Sequence, residues 1–144
     1  MEGIQVIGTV YKKKGEEGDF DWHIKSGLYE DSLFLFNDDE KRNKWKKAGQ
    51  GNAVIRKYNK YAVEKPRSCG IVTGKETGYQ QLSDEVKKAI DRCFVEVREI
   101  IQKYGYKKVY YSAQTKDGLL GTSIFQVGDD VIQYITSQIK SLSS

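Results

Sequence analysis

A long amphipathic segment between two short apolar runs constrains the fold of this chain more than any other feature. Ser83 and the two acids after it form a favourable helix start, and apolar side chains then recur every three or four residues as far as Gly105. The runs CGIVTG at 69–74 and KKVYYSA at 107–113 are typical of buried strands. Strand, helix, strand implies a parallel crossover, so the sequence predicts an α/β fold.

The remaining segments add one strand and one helix to this unit. SLFLF at 32–36 is a short apolar run that polar residues 37–39 stop, which predicts a buried strand opening into a loop. Apolar residues from Val131 to Leu142 recur at helical spacing and predict a C-terminal helix. Residues 53–55 begin either a helix or another strand.

Length and composition indicate one globular domain over residues 1–144, since 38% of the residues are hydrophobic and no linker or repeat interrupts the chain. Residues 4–12 and 20–25 have the pattern of strands around a polar turn, which predicts an N-terminal β-hairpin within region 1–31. We expect an α/β core over 32–142, with a mixed sheet in two or three layers.

Composition also bears on location and cofactors. No apolar run approaches the roughly 18 residues of a membrane span. The start MEGIQVIGTV lacks the basic and apolar regions of a signal peptide, so we expect a cytoplasmic protein with no membrane partner. Cys69 and Cys93 lie far apart and His23 is the single histidine, which leaves no ligand set for zinc. We therefore expect reduced cysteines, no metal and no cofactor.

Positive charge is concentrated around a turn of small residues, in KKAGQGNAVIR at 46–56. Residues 41–60 contain eight basic residues and no acid, although the net charge of the whole chain is only +4. Lysine-rich runs are often merely solvated surface. A glycine-containing turn, however, lets backbone N–H groups approach phosphate oxygens closely. The stretch is thus either a bland surface loop or an anion site.

Three loops follow predicted strands, at 37–52, 73–78 and 112–125. In open α/β sheets, ligands bind outside the carboxyl ends of the strands, so these loops are candidates for one shared site. None of them matches GxxxxGK[ST] or GxGxxG, which leaves an ATPase and a Rossmann dinucleotide enzyme without their motifs.

The order of these motifs resembles the macro domain family. An apolar strand ending in Asn, GxGNAVI, a strand ending in TG, a long helix, a strand and LLGTSIFQVGDDV follow one another over residues 32–142. The resemblance implies a macro-like core that binds an ADP-ribose-like or other NAD-derived phosphorylated nucleotide. The pattern is also similar to that of small phage-encoded proteins, which implies a viral origin.

The resemblance further implies a set of ligand-binding residues. The first loop would place Gly49, Gly51, Asn52 and Ala53 at the ligand. The second would wrap the diphosphate with Gly121, Thr122, Ser123, Ile124 and Phe125. Asn37 or Asp38 would face the distal ribose or the adenine, and Thr73 lies at the end of another strand. From residue type, we expect Arg56 to contact an anionic group and Lys41, Lys44 and Lys47 not to, because a guanidinium matches phosphate bidentately.

Three functions from different classes remain open. The first is a binding protein that sequesters a host nucleotide signal, as an anti-defence protein of a virus would. The second is a hydrolase that removes ADP-ribose or a phosphate. The third is a nucleic-acid-binding domain that uses the 41–60 stripe with Trp45, Tyr58 and Tyr61 as stacking platforms.

Binding without turnover is favoured over hydrolysis. No Ser/His/Asp or Cys/His arrangement is visible in the sequence. Loop aspartates are mostly caps and turn formers, and Asp129 and Asp130 stand where they would cap the last helix. His23 stands beside Trp22 in a predicted strand, a position that favours a structural role.

The aromatic content predicts self-association. Ten tyrosines and two tryptophans are many for 144 residues, and aromatic side chains are enriched at interfaces as well as in cores. We expect a homodimer at micromolar concentration. Light scattering checks this, and a mass near 16.5 kDa throughout that concentration range would contradict it.

Overall fold

The computed structural model describes residues 3–122 and 126–144, which form an open sheet with helices on both of its faces. The strands are β1 (Gln5–Thr9), β2 (Ser32–Asp39), β3 (Ser68–Lys75), β4 (Thr77–Gly78) and β5 (Lys108–Ser112). The α-helices are α1 (Phe20–Ser26), α2 (Asp84–Tyr104) and α3 (Asp129–Ser141). A 3-10 helix, Gly51–Tyr58, lies between β2 and β3.

The sheet has the order β1-β5-β2-β3-β4, in which the first four strands are parallel and the short β4 is antiparallel to β3. After β3 and β4, helix α2 leads to β5, which lies between β1 and β2 in the sheet. The predicted α/β class with a parallel crossover is confirmed, and the sheet is mixed through β4.

Strand β2 is buried on both faces, which explains its continuous apolar run. Leu33 and Leu35 belong to the core formed with α2 and α3. Phe34 and Phe36 belong to a second core, formed with Phe20 of α1 and with the 3-10 helix. Helices therefore cover the sheet on both sides, in three layers.

Local signals set the ends of α2. The Ser83 hydroxyl accepts a hydrogen bond from the Val86 amide at 3.2 Å, and Gly105 ends the helix with a φ of 68°. This predicted helix is confirmed. No helix among residues 3–122 and 126–144 has the length and apolar content needed to cross a membrane.

The predicted helix α3 is present, but Asp129 and Asp130 lie in its first turn rather than at its cap. The N-cap position is Gly128, and no side chain caps the helix there. Asp130 accepts from the Val131 amide at 2.8 Å and from the Leu82 amide at 3.0 Å. One carboxylate thereby joins the start of α3 to the loop before α2.

The predicted N-terminal hairpin is wrong. Phe20–Ser26 forms helix α1, and β1 pairs with β5 in parallel. The physical reason is local: Asp19 caps the helix by accepting from the Trp22 amide at 3.3 Å, and Gly27 ends it with a φ of 74°. Two further points are settled: β2 continues to Asp39, and residues 53–55 lie inside the 3-10 helix.

The free edge of β1 is partly covered by the loop after β5. The Gly8 amide donates to Asp117 Oδ1 at 2.8 Å, and the Asp117 amide donates to the Gly8 carbonyl at 2.9 Å. Asp117 holds this position with a φ of 57°. One residue thus occupies both hydrogen-bonding groups of Gly8.

His23 is a buried structural residue of α1 rather than a strand residue. It is 1% exposed, and its Nε2 accepts from the Gly18 amide at 3.0 Å. The ring lies edge-on to Tyr29, with centroids 4.4 Å apart. Burial lowers the pKa of His23, although the charges of Glu17 and Asp19 oppose this effect.

The lowered pKa predicts a loss of stability in mild acid. Below about pH 6.5 the unfolded chain takes up a proton on His23 that the folded chain resists, so stability falls as the pH drops toward the folded-state pKa. Urea denaturation at pH 7.5 and 5.5 measures this loss. His23→Gln keeps a hydrogen-bond acceptor but does not titrate, so it should lose less stability over the same interval. Equal losses would contradict the prediction.

Candidate functional site

A cavity of about 450 Å³ lies at the C-terminal ends of β2 and β3. The chain leaves β2 toward β3 and returns with β5 on the other side of β2, so the direction of the strand order reverses beside this cavity. Open α/β sheets bind ligands at such a reversal.

Most of the residues expected from the sequence meet in the wall of this cavity. Asn37, Asp38 and Thr73 come from the strand ends. The loop and the 3-10 helix after β2 contribute Gly49, Asn52, Ala53 and Arg56, and the loop after β5 contributes Thr122.

The other expected residues are placed differently. Gly51 and Gly121 are each next in sequence to a wall residue but are not themselves in the wall. Ser123, Ile124 and Phe125 lie outside the described residues. Among the described residues of the second loop, Thr122 therefore lines the cavity, and Gly121 precedes it in the sequence.

Several residues of the wall were not among those expected from the sequence, and Lys47 was expected not to contact a ligand. The segment between β2 and the 3-10 helix adds Arg42, Trp45, Lys47, Ala48 and Gln50, and the end of β2 adds Asp39. The basic stripe at residues 41–60 includes this segment, but only the fold shows which of its cations line the cavity.

Two asparagines join the end of β2 and the 3-10 helix to β5 and to the loop after β5. The backbone N–H of Asn37 donates to Asn52 Oδ1 at 2.6 Å, and Asn52 Nδ2 donates to Ser112 Oγ at 2.8 Å. Asn37 Nδ2 donates to the Gly121 carbonyl at 2.7 Å. Because β2 pairs with β5 only over Ser32–Phe34, the Asn52 side chain supplies the acceptor that the β5 ladder no longer offers to Asn37.

A buried ion pair forms part of the wall beneath this network. Arg56 Nη2 donates to Asp38 Oδ1 at 2.5 Å, and the two side chains are only 5% and 0% exposed. Burial raises the pKa of the Asp38 carboxyl, while the Arg56 guanidinium and the Asp39 amide oppose the rise. Arg56, expected to contact a ligand, has its guanidinium engaged by Asp38.

Glycines leave room for this pair. A Cβ at Gly49 would lie 2.7 Å from Arg56 Nη1, and one at Gly70 would lie 2.9 Å from Asp38 Oδ2. Gly51 starts the 3-10 helix with a φ of 58°, a conformation that favours glycine. These glycines thus have structural roles, whether or not the backbone also approaches a ligand.

The second carboxylate in the wall accepts from two backbone amides. Asp39 Oδ1 accepts from Lys41 N and Oδ2 from Glu76 N, both at 2.8 Å. Both wall acids therefore have hydrogen-bond partners within the protein. Among the described residues, no group of three His, Cys, Asp or Glu side chains could hold a metal ion.

The basic stripe divides into paired and unpaired cations. Ion pairs link Lys41 to Glu76, Lys57 to Asp21 and Lys60 to Glu96. Arg42 and Lys47 line the cavity, are exposed, and have no ion-pair partner in the described part of the chain. The mouth of the cavity is therefore positive, while its two carboxylates are buried.

The buried pair predicts a large and specific stability effect. Arg56→Met leaves Asp38 buried without its counter-charge and should lower the free energy of unfolding by about 3–5 kcal/mol. Adding Asp38→Leu to that variant should recover much of the loss, because no buried charge remains. Guanidinium denaturation measures both.

Lys41→Met is the control, since it removes an exposed ion pair and should change the stability little. An Arg56→Met loss as small as that of Lys41→Met would contradict the prediction. So would a double variant less stable than Arg56→Met alone.

No protein-family model, curated protein or solved structure matches this chain. The resemblance to macro domains therefore rests on the residue pattern alone. The ligand has to be inferred from the chemistry of the cavity.

Proposed function

We propose that this protein binds a phosphorylated nucleotide of the ADP-ribose or NAD-derived class in the cavity, without turning it over. The observation that carries the proposal is the cavity itself, with unpaired cations at its mouth and hydrogen-bonding groups from three strand-end loops in its wall.

The size and position of the cavity fit a small ligand. Small-molecule sites commonly measure about 300–1,000 Å³, and the value here is about 450 Å³. The reversal of strand order between β5 and β2 favours a ligand at this end of the sheet.

The charge distribution favours an anion. Arg56 neutralises Asp38, so Arg42 and Lys47 outnumber the one remaining carboxylate, that of Asp39. The 3-10 helix also begins beside this wall, at Gly51 between the wall residues Gln50 and Asn52, and the first N–H groups of a helix have no acceptor within it. Phosphate oxygens would satisfy both the cations and these amides.

Uncharged polar groups would hold the sugar. Thr73 and Thr122 carry hydroxyls in the wall, and Asn37 presents an amide that is partly engaged by Gly121. Such groups suit ribose hydroxyls, which both donate and accept hydrogen bonds. The macro domain resemblance supports the same ligand class.

The engaged state of the wall acids supports binding over hydrolysis. Asp38 forms an ion pair with Arg56, and Asp39 accepts hydrogen bonds from two backbone amides. Such contacts are typical of carboxylates with a structural role. A protein that binds without turnover would sequester its nucleotide stoichiometrically, which suits the anti-defence role implied by the phage-like pattern.

Lys47 and Lys44 provide a matched pair for testing the site. Both are exposed lysines of the same segment, but only Lys47 lines the cavity. Lys47→Gln should weaken ADP-ribose binding about tenfold or more, as expected for a lost hydrogen bond to a charged group, and Lys44→Gln should leave it within about twofold. Isothermal titration calorimetry measures both affinities.

A single-stranded oligonucleotide titrated under the same conditions separates the nucleic-acid alternative. Equal losses for Lys44→Gln and Lys47→Gln, with binding of the oligonucleotide but not of ADP-ribose, would replace the proposal by a nucleic-acid surface. Loss of ADP-ribose with the appearance of cleaved product would replace it by a hydrolase.

A further inference from the structure

We infer that the aromatic base of the bound nucleotide stacks on Trp45 at the mouth of the cavity, an inference that rests on the proposed function. It adds an orientation: the base lies on the 42–47 segment and the phosphates lie toward the start of the 3-10 helix.

Trp45 is exposed at the wall of the cavity, where a ligand could contact its ring. Its side chain is 51% exposed, and it lines the cavity. The other large exposed apolar residues in the described part of the chain are away from the cavity wall; they are Tyr11, Leu28, Val63, Val95 and Leu119. A single exposed apolar residue needs no explanation, but a tryptophan at the mouth of a polar cavity has the properties of a binding platform.

The backbone beneath the exposed ring is held in place. The Trp45 amide donates to the Arg42 carbonyl at 2.9 Å, and the Trp45 carbonyl accepts from Asn59 Nδ2 at 2.9 Å. Asn59 is only 3% exposed, and its Oδ1 accepts from the Tyr61 and Ala62 amides. A buried amide therefore anchors Trp45 before any ligand binds, which reduces the ordering that binding requires.

The Trp45 ring has a cation beside it but no aromatic partner among the described residues. The Arg42 guanidinium lies 5.5 Å from the ring centroid, as a cation over an aromatic face does. No ring among the described residues stacks on Trp45, whereas Trp22 contacts both His23 and Tyr29. A nucleobase would supply the missing aromatic contact, and base stacking on an aromatic side chain contributes about 1–3 kcal/mol.

The same segment places positive charge beside the platform. Arg42 and Lys47 flank Trp45 in sequence, and all three line the cavity. A base on Trp45 would bring its attached phosphates within reach of both cations. The site should therefore prefer a nucleotide to a base-free sugar phosphate of the same charge.

The test compares a ligand that has a base with one that lacks it. Trp45→Ala should lower the affinity for ADP-ribose about 10- to 100-fold, the range that the stacking energy gives. It should leave the weaker binding of ribose 5-phosphate within about threefold. Trp45→Phe should retain most of the ADP-ribose affinity, because phenylalanine still offers an aromatic face.

Fluorescence gives a second readout that a structural role would not produce. Trp22→Phe leaves Trp45 as the single tryptophan and lies outside the cavity. In that variant, ADP-ribose should quench the emission at saturation and ribose 5-phosphate should not.

Each outcome separates the two ideas. No ADP-ribose binding by the unaltered protein would overturn the proposed function and, with it, this inference. Binding that Trp45→Ala leaves unchanged, or that falls equally for both ligands, would overturn the stacking assignment and leave the proposed function standing.

Discussion

The ion pair between Asp38 and Arg56 is the interaction on which the geometry of the cavity depends. It joins the end of β2 to the 3-10 helix, and both of its side chains are almost completely buried. Two glycines, Gly49 and Gly70, leave the space that the pair occupies. The pair thus fixes the distance between a strand end and the loop that closes over it, and each partner keeps the other from being a buried unpaired charge.

A network of polar hydrogen bonds joins the end of β2 and the 3-10 helix to β5, just as the ion pair joins the end of β2 to the 3-10 helix. Asn52 reaches β2 through the Asn37 amide and β5 through Ser112, and Asn37 reaches the following loop at Gly121. These bonds hold open a crevice where β2 and β5 have stopped pairing. The cavity is therefore preformed by protein contacts, while its exposed cations at Arg42 and Lys47 have no ion-pair partner among the described residues.

Local signals predicted the part of the fold that they control. The Ser83 cap, the helical periodicity and Gly105 defined α2, and two apolar runs defined the strands on either side. The N-terminal region was misassigned because FDWHIK fits both a strand and a short helix. Strand β1 pairs with β5, which lies about a hundred residues away along the chain, so a local sequence pattern could not reveal this pairing.

The sequence predicted the loops that surround the cavity but not the contacts within its wall. Sheet topology determines where a ligand can bind, so strand-end residues such as Asn37 and Thr73 could be named in advance. The pairing of Arg56 with Asp38 could not, because the two are 18 positions apart and meet only in the folded chain. Which of the exposed residues line the cavity, as Lys47 and Trp45 do and Lys44 does not, is likewise a property of the fold.

The contact between Asp117 and Gly8 has a consequence for how copies of this protein can meet. An edge strand offers unpaired N–H and C=O groups on which another chain can polymerise as added β-structure. Asp117 occupies both groups of Gly8, and the opposite edge, β4, is only two residues long. The β1 edge is therefore interrupted as a template for strand addition, so an assembly through that edge would be held together by side chains rather than by a continuous intermolecular sheet.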